Sequence, residues 1–200
     1  MDDSRMRTLV DQLVAVAHRA YARGLVPAVS GNLSVRVPEE RRIFIKASGR
    51  SLGDVTAADM ILLDFDGNTV QDTSLCPSKE WRFHLAIYQC RPEVGAVVHL
   101  HPPYAVAFAA THALPPLLTG AARAFLDGKM ALVAPAPSGS RELAAFVEEA
   151  FHEPQTAAAI LSEHGTVTVG ADLYSAYYLS EYLEDAARTA YLAAQLRTRA

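Results

Sequence analysis

At 200 residues, half of them hydrophobic and a fifth charged, the chain has the length and balance of one globular domain with a sizeable core. No uncharged apolar run approaches the roughly 18 residues a membrane span requires. The 18 basic residues are scattered among 22 acidic ones for a net charge of −4, without the basic stripe that nucleic-acid binding demands.

The N-terminus MDDSRMRTLV is charged and amphipathic, so the expectation is a single cytoplasmic domain over 1–200 with no nucleic-acid or membrane partner. From Ser4 to Arg23, Leu9, Val10, Leu13, Val16 and Ala17 recur at helical spacing and predict a packing helix that ends at Gly24. LSVRV (33–37) and RIFIKA (42–47) predict strands, and MILLDFDGNTV predicts two more around an Asp66-Gly67 turn. Pro77 and Ser78 open a predicted helix through Cys90, with Ser78 as its N-cap and Glu80 in its first turn. GAVVHLH is a strand cut off by Pro102-Pro103; YAVAFAATHA is a short helix and KMALVA another strand. SGSRELAAFVEEAF is a helix with Ser138 or Ser140 near its cap. AAAILSEHGTVTVG predicts two strands meeting at His164-Gly165, and a long helix runs from Asp172 to Arg197. This mixture points to a layered α/β or α+β domain around a mixed sheet.

Chemistry concentrates on a few side chains. Cys76 and Cys90 stand in no CxxC or Cys/His spacing, which disfavours disulfides and thiolate metal sites. Of seven histidines, His99 and His101 alternate along one strand, so both rings face the same way about 7 Å apart and can grip one ion. Zinc accepts neutral imidazoles at about 2.0–2.1 Å and keeps a position open in catalytic sites, which calls for a third ligand. His164 is the best candidate: it ends a second apolar strand and precedes Gly165, whose missing side chain permits a tight turn. His84 lies inside a helix, and His18 and His152 sit among charged residues, so packed or solvated roles suit them better. A histidine at a strand end is also an ordinary half-buried aromatic, and Glu80 near a helix N-terminus is also explained by the macrodipole. SGN (30–32), SG (48–49) and SK (78–79) offer hydroxyl, amide and backbone N–H donors of the kind that hold phosphate, with Lys79 adding charge, although Ser-Gly is equally common turn chemistry.

Taken in order, SGNLSVR, IKASG, PSKEWRFHLAIYQCRPEVGAVVHLH, GSREL and EHG closely resemble the class II aldolase and adducin-head family over about residues 5–195. The resemblance implies a three-layer αβα fold with a mixed, mostly antiparallel central sheet. It also implies a homotetramer with active sites at subunit interfaces. By position it makes His99, His101 and His164 the metal ligands, for zinc or alternatively manganese or cobalt. Glu80 becomes the catalytic acid/base, and Asn32, Ser48, Gly49 and Ser78 the phosphate-binding positions.

The activity so implied is cleavage of a ketose 1-phosphate of the L-fuculose type to dihydroxyacetone phosphate and an aldehyde, through a metal-stabilised enediolate. Val29 before SGN and Lys79 after Ser78 depart from the pattern, and the PSKE form is similar to members that decarboxylate 3-oxo-tetronate 4-phosphate. Thr119-Gly120 stands where such aldolases place a tyrosine supplied to the neighbouring subunit. A non-catalytic adducin-like module would lack the histidines, and a zinc hydrolase would need no phosphate cradle.

Overall fold

The computed structural model describes residues 3–197. One seven-stranded sheet organises them, in the order β3-β2-β1-β4-β7-β6-β5. The strands are β1 (Asn32–Arg36), β2 (Arg42–Lys46), β3 (Met60–Asp64), β4 (Ala96–Leu100), β5 (Met130–Val133), β6 (Ala158–Leu161) and β7 (Gly165–Gly170). Every neighbouring pair is antiparallel except β5 with β6, which gives the expected mixed sheet.

Helices cover both faces, because strand residues alternate between two cores. Val97, Val167 and Ile45 pack with α2 (Trp81–Cys90) and α5 (Arg141–His152). Leu33, Val35 and Val98 pack with α1 (Asp3–Ala22) and α6 (Leu173–Arg197). A third cluster joins α3 (Pro103–Ala110) and α4 (Gly120–Leu126) to α6 and β6, on the α6 side. The layers are therefore helix, sheet, helix.

Three expectations are corrected. The Asp66-Gly67 turn forms, with Asp64 Oδ1 accepting from the backbone N–H groups of Asp66 and Asn68. Only an isolated bridge between Leu63 and Thr69 follows it, not a second strand. Helix α2 starts at Trp81 because the residues before it pair with the end of β2: Ser48 N–H donates to Cys76 O, and Ser78 N–H to Lys46 O. Glu80, not Ser78, is thus the N-cap position, and its carboxylate is free to face elsewhere. Helix α4 lies in a stretch where the sequence predicted no element, and Thr119 caps it by accepting from Ala122 N–H. At α5 the cap is Ser140, which accepts from Leu143 N–H; Ser138 is left for another use.

Candidate active site

Strand β4 delivers His99 to the face covered by α2, and the chain reaches His101 just before Pro102 turns it into α3. His164 lies in the tight β6–β7 connection, beside β4 because β7 pairs with it. The three rings make a nearly equilateral triangle, with centroids 4.8, 4.9 and 5.1 Å apart and every pair edge-to-face. Their ligand atoms all lie within 4.8 Å of one another. Gly165 is necessary to this approach, since a Cβ there would meet Leu100 O at 2.6 Å and the His101 ring at 2.8 Å.

Glu80 closes the cluster from the N-terminal end of α2. Its Oε2 lies 3.0 Å from His99 Nε2, and its Oε1 lies 3.2 Å from His164 Nε2. Ser138 Oγ donates to Oε1 at 2.6 Å, and Asn32 Nδ2 donates to Oε2 at 2.9 Å. Burial pushes the carboxyl pKa up, but the charge of His99 and the hydrogen bonds from His164, His99 and Ser138 outweigh it and hold Glu80 well below the usual carboxylate range.

The donor set fits a divalent cation. His99 Nδ1 is 2.9 Å from Thr166 O, a carbonyl that can only accept, so Nδ1 carries a proton and Nε2 is the nitrogen left to ligate a metal ion. That nitrogen faces a Glu80 carboxylate oxygen and, at 3.0 Å, His101 Nε2. Converging acceptors at this spacing are stabilised by positive charge between them. His101 is lowered to about 3 by burial and by the neighbouring His99 and His164, and so is neutral as a metal ligand must be. The buried Nδ1 of His164 has no hydrogen-bond partner among the described residues.

Every sequence-predicted substrate position opens onto the same cavity of about 540 Å³: Asn32, Ser48, Gly49, Ser78 and Lys79 line it with Glu80, His101 and His164. Lys79 and Ser48 are exposed at its rim, whereas Asn32 and Ser78 are buried. The sequence reading missed three contributors. Lys46, only 2% exposed, lines the cavity and donates to Val29 O and Arg50 O, tying together the loops that carry SGN and SG. Ser138 reaches Glu80 from the β5–α5 loop, and His84 bonds Asn32. The only available signals were the alternation in FIK and the surplus hydroxyl before Ser140. His18 bonds Val55 O, while His152 lies beside Glu148 at the surface; neither approaches the cluster.

The Class II Aldolase and Adducin N-terminal domain profile matches residues 11–191. The chain belongs to this family. It is 34% identical over 186 residues to the L-fuculose phosphate aldolase of Methanococcus maripaludis, covering 93% of this chain and 98% of that one. It is also 34% identical over 183 residues to the 3-oxo-tetronate 4-phosphate decarboxylase of Haemophilus influenzae, covering 88% and 83% respectively. Among solved structures, the l-fuculose-1-phosphate aldolase of Thermus thermophilus superimposes with a TM-score of 0.81 at 28% identity, covering 96% of each chain. Membership accounts for the αβα sheet order and for a histidine cluster able to hold a metal ion.

Proposed function

We propose that this chain is a metal-dependent carbon–carbon lyase that cleaves a ketose 1-phosphate of the L-fuculose type into dihydroxyacetone phosphate and an aldehyde. The observation that carries the reading is the Glu80 carboxylate, 3.0 and 3.2 Å from His99 and His164 and open to a cavity lined with phosphate-type donors. His99, His101 and His164 would hold the ion, zinc in this reading with manganese or cobalt as alternatives. A divalent ion there supplies the positive charge that lets electron density build on the carbonyl and hydroxyl oxygens of the substrate.

The chain's own groups do the rest. Glu80, ionised and fixed by Ser138 and Asn32, moves a proton on or off the carbon beside the carbonyl. Asn32, Ser48, Gly49, Ser78 and Lys79 grip the phosphate, and the Lys46 ammonium adds charge from below. A second cavity of about 410 Å³ adjoins the first at Ser138 and His164 and offers room for the aldehyde half. The same reading includes a cytoplasmic location and a homotetramer; exposed Phe125, Tyr178 and Tyr191 supply apolar surface for assembly. Among the described residues, no helix is long and apolar enough to cross a membrane.

The test is release of dihydroxyacetone phosphate from ketose 1-phosphates by purified protein with and without chelator. Turnover indifferent to metal removal refutes the reading. A second reading, decarboxylation of a phosphorylated 3-oxo sugar acid, draws on Lys79 at the cavity rim and on the decarboxylase relative. Carbon dioxide release from such acids, with no aldol cleavage, would favour it. A non-catalytic module gains no support from a chain that keeps all three histidines and Glu80 in contact.

A further inference from the structure

Beneath the site runs a buried polar seam between β1 and α2. Asn32, Ser34 and Arg36 alternate along β1, so all three face α2, while Leu33 and Val35 face the opposite core. Glu80, His84 and Tyr88 recur every four residues at the start of and along α2. Two strand residues advance about 6.6 Å and four helical residues about 6 Å, so the two polar rows stay in step. They interlock: Asn32 bridges Glu80 and His84, Ser34 bridges His84 and Tyr88, and Arg36 donates to Tyr88 O.

The hydrogens in this seam can run only one way. The Asn32 amide turns its NH2 toward Glu80, Nδ2 donating to Oε2 at 2.9 Å. Its Oδ1 then faces His84 Nε2, which must carry the ring proton. His84 Nδ1 is therefore bare and accepts from Ser34 Oγ at 2.7 Å. Ser34, its hydrogen used, accepts from the Tyr88 hydroxyl at 2.9 Å. His84 is completely buried, and that burial, then the charge of His99, lowers it to about 3, so the ring is neutral.

We propose that His84 is a positioning residue for the Glu80 chemistry: its Nε2–H holds the Asn32 amide the right way round, so that Glu80 meets a donor and not a carbonyl oxygen. Without that hold the Asn32 amide loses one of its two anchors and can swing its NH2 away from the carboxylate, and the ground-state position of the base is lost. This inference deepens the lyase reading and rests on it for its kinetic arm, while its structural arm needs no substrate.

Two measurements test it. Nitrogen-15 spectra of the wild-type protein should show His84 as a neutral ring protonated at Nε2; an Nδ1–H tautomer or a cation overturns the proposal. In the second, His84→Leu and His84→Gln are compared by cleavage kinetics and by deuterium uptake into dihydroxyacetone phosphate, a readout of the proton step alone. His84→Leu should lower kcat and exchange about 10- to 100-fold, with KM within about threefold and bound metal unchanged. His84→Gln keeps an N–H for Asn32 and should recover most of the loss. Full activity in His84→Leu, equal loss in both variants, or loss of metal in both contradicts a positioning role. Should His84→Leu fail to fold, the spectrum and the glutamine variant decide. If the wild-type protein neither cleaves nor exchanges, the lyase reading fails and the spectrum alone judges the seam.

Discussion

Asn32 and His99 are paired directly across the β1–β4 ladder. The amide that holds Glu80 and the ring that faces it are therefore set by one stretch of backbone pairing, and α2 needs only to lower Glu80 between them. Glu80→Gln keeps the size and the ring neighbours but removes the charge. It should retain metal while cutting kcat by about 10²- to 10⁴-fold, as loss of a general base does. Metal content and turnover measured on the same preparation check this; parallel loss of both would assign Glu80 chiefly to metal retention.

The ring triangle predicts a coupling between metal and stability. A ligand bound only by the folded state raises stability by about 2.7 kcal/mol at a concentration one hundred times its Kd. Chelator should thus lower the melting temperature of the wild-type protein and leave that of His101→Ala nearly unchanged, because this variant has lost one of three converging rings. Calorimetry with and without zinc provides the measurement, and an equal shift in both proteins would contradict a site at His101.

Much of this site was readable before the fold was known. HxH at a strand end, His164 before Gly165, and the three Ser-bearing turns are short local patterns; the structure clusters the three rings and opens the turns, with His101 and His164, onto one cavity. Lys46, Ser138 and His84 were not readable in the same way. Each acts through a partner distant in sequence: Lys46 bonds two loop carbonyls, Ser138 bonds Glu80, and His84 bonds Asn32. Local patterning assigns a face, not a partner. The late start of α2 has a similar origin, since tertiary pairing of Ser78 with Lys46 O overrides the local capping signal.

Ser138 gives a pH prediction with a definite sign. Its hydroxyl, 2.6 Å from Glu80 Oε1, stabilises the charged carboxylate. Ser138→Ala removes that stabilisation, so the Glu80 pKa rises and the acid limb of the kcat/KM profile moves to higher pH. Profiles of the two proteins on one substrate are the comparison; an unmoved or acid-shifted limb in the variant would contradict the role.

Lys46 sets two opposed trends on the alkaline side. Burial lowers its pKa from the usual 10.5 to about 8, against the pull of Glu80 and Asp59. Between those values the unfolded chain binds more protons than the folded one at this site, so its contribution to stability rises with pH across the window. The phosphate binding proposed for this cavity should run the other way, because the ammonium that favours an anion is lost as pH passes 8. The affinity for inorganic phosphate should therefore fall from pH 7 to 9 by about the tenfold that a single lost charge contact of 1.4 kcal/mol represents. Lys46→Met, which keeps the stem and removes the charge, should bind phosphate weakly at pH 7 and show a much flatter dependence. Calorimetric titration of both proteins across that range separates the outcomes, and identical slopes would remove Lys46 from the phosphate site.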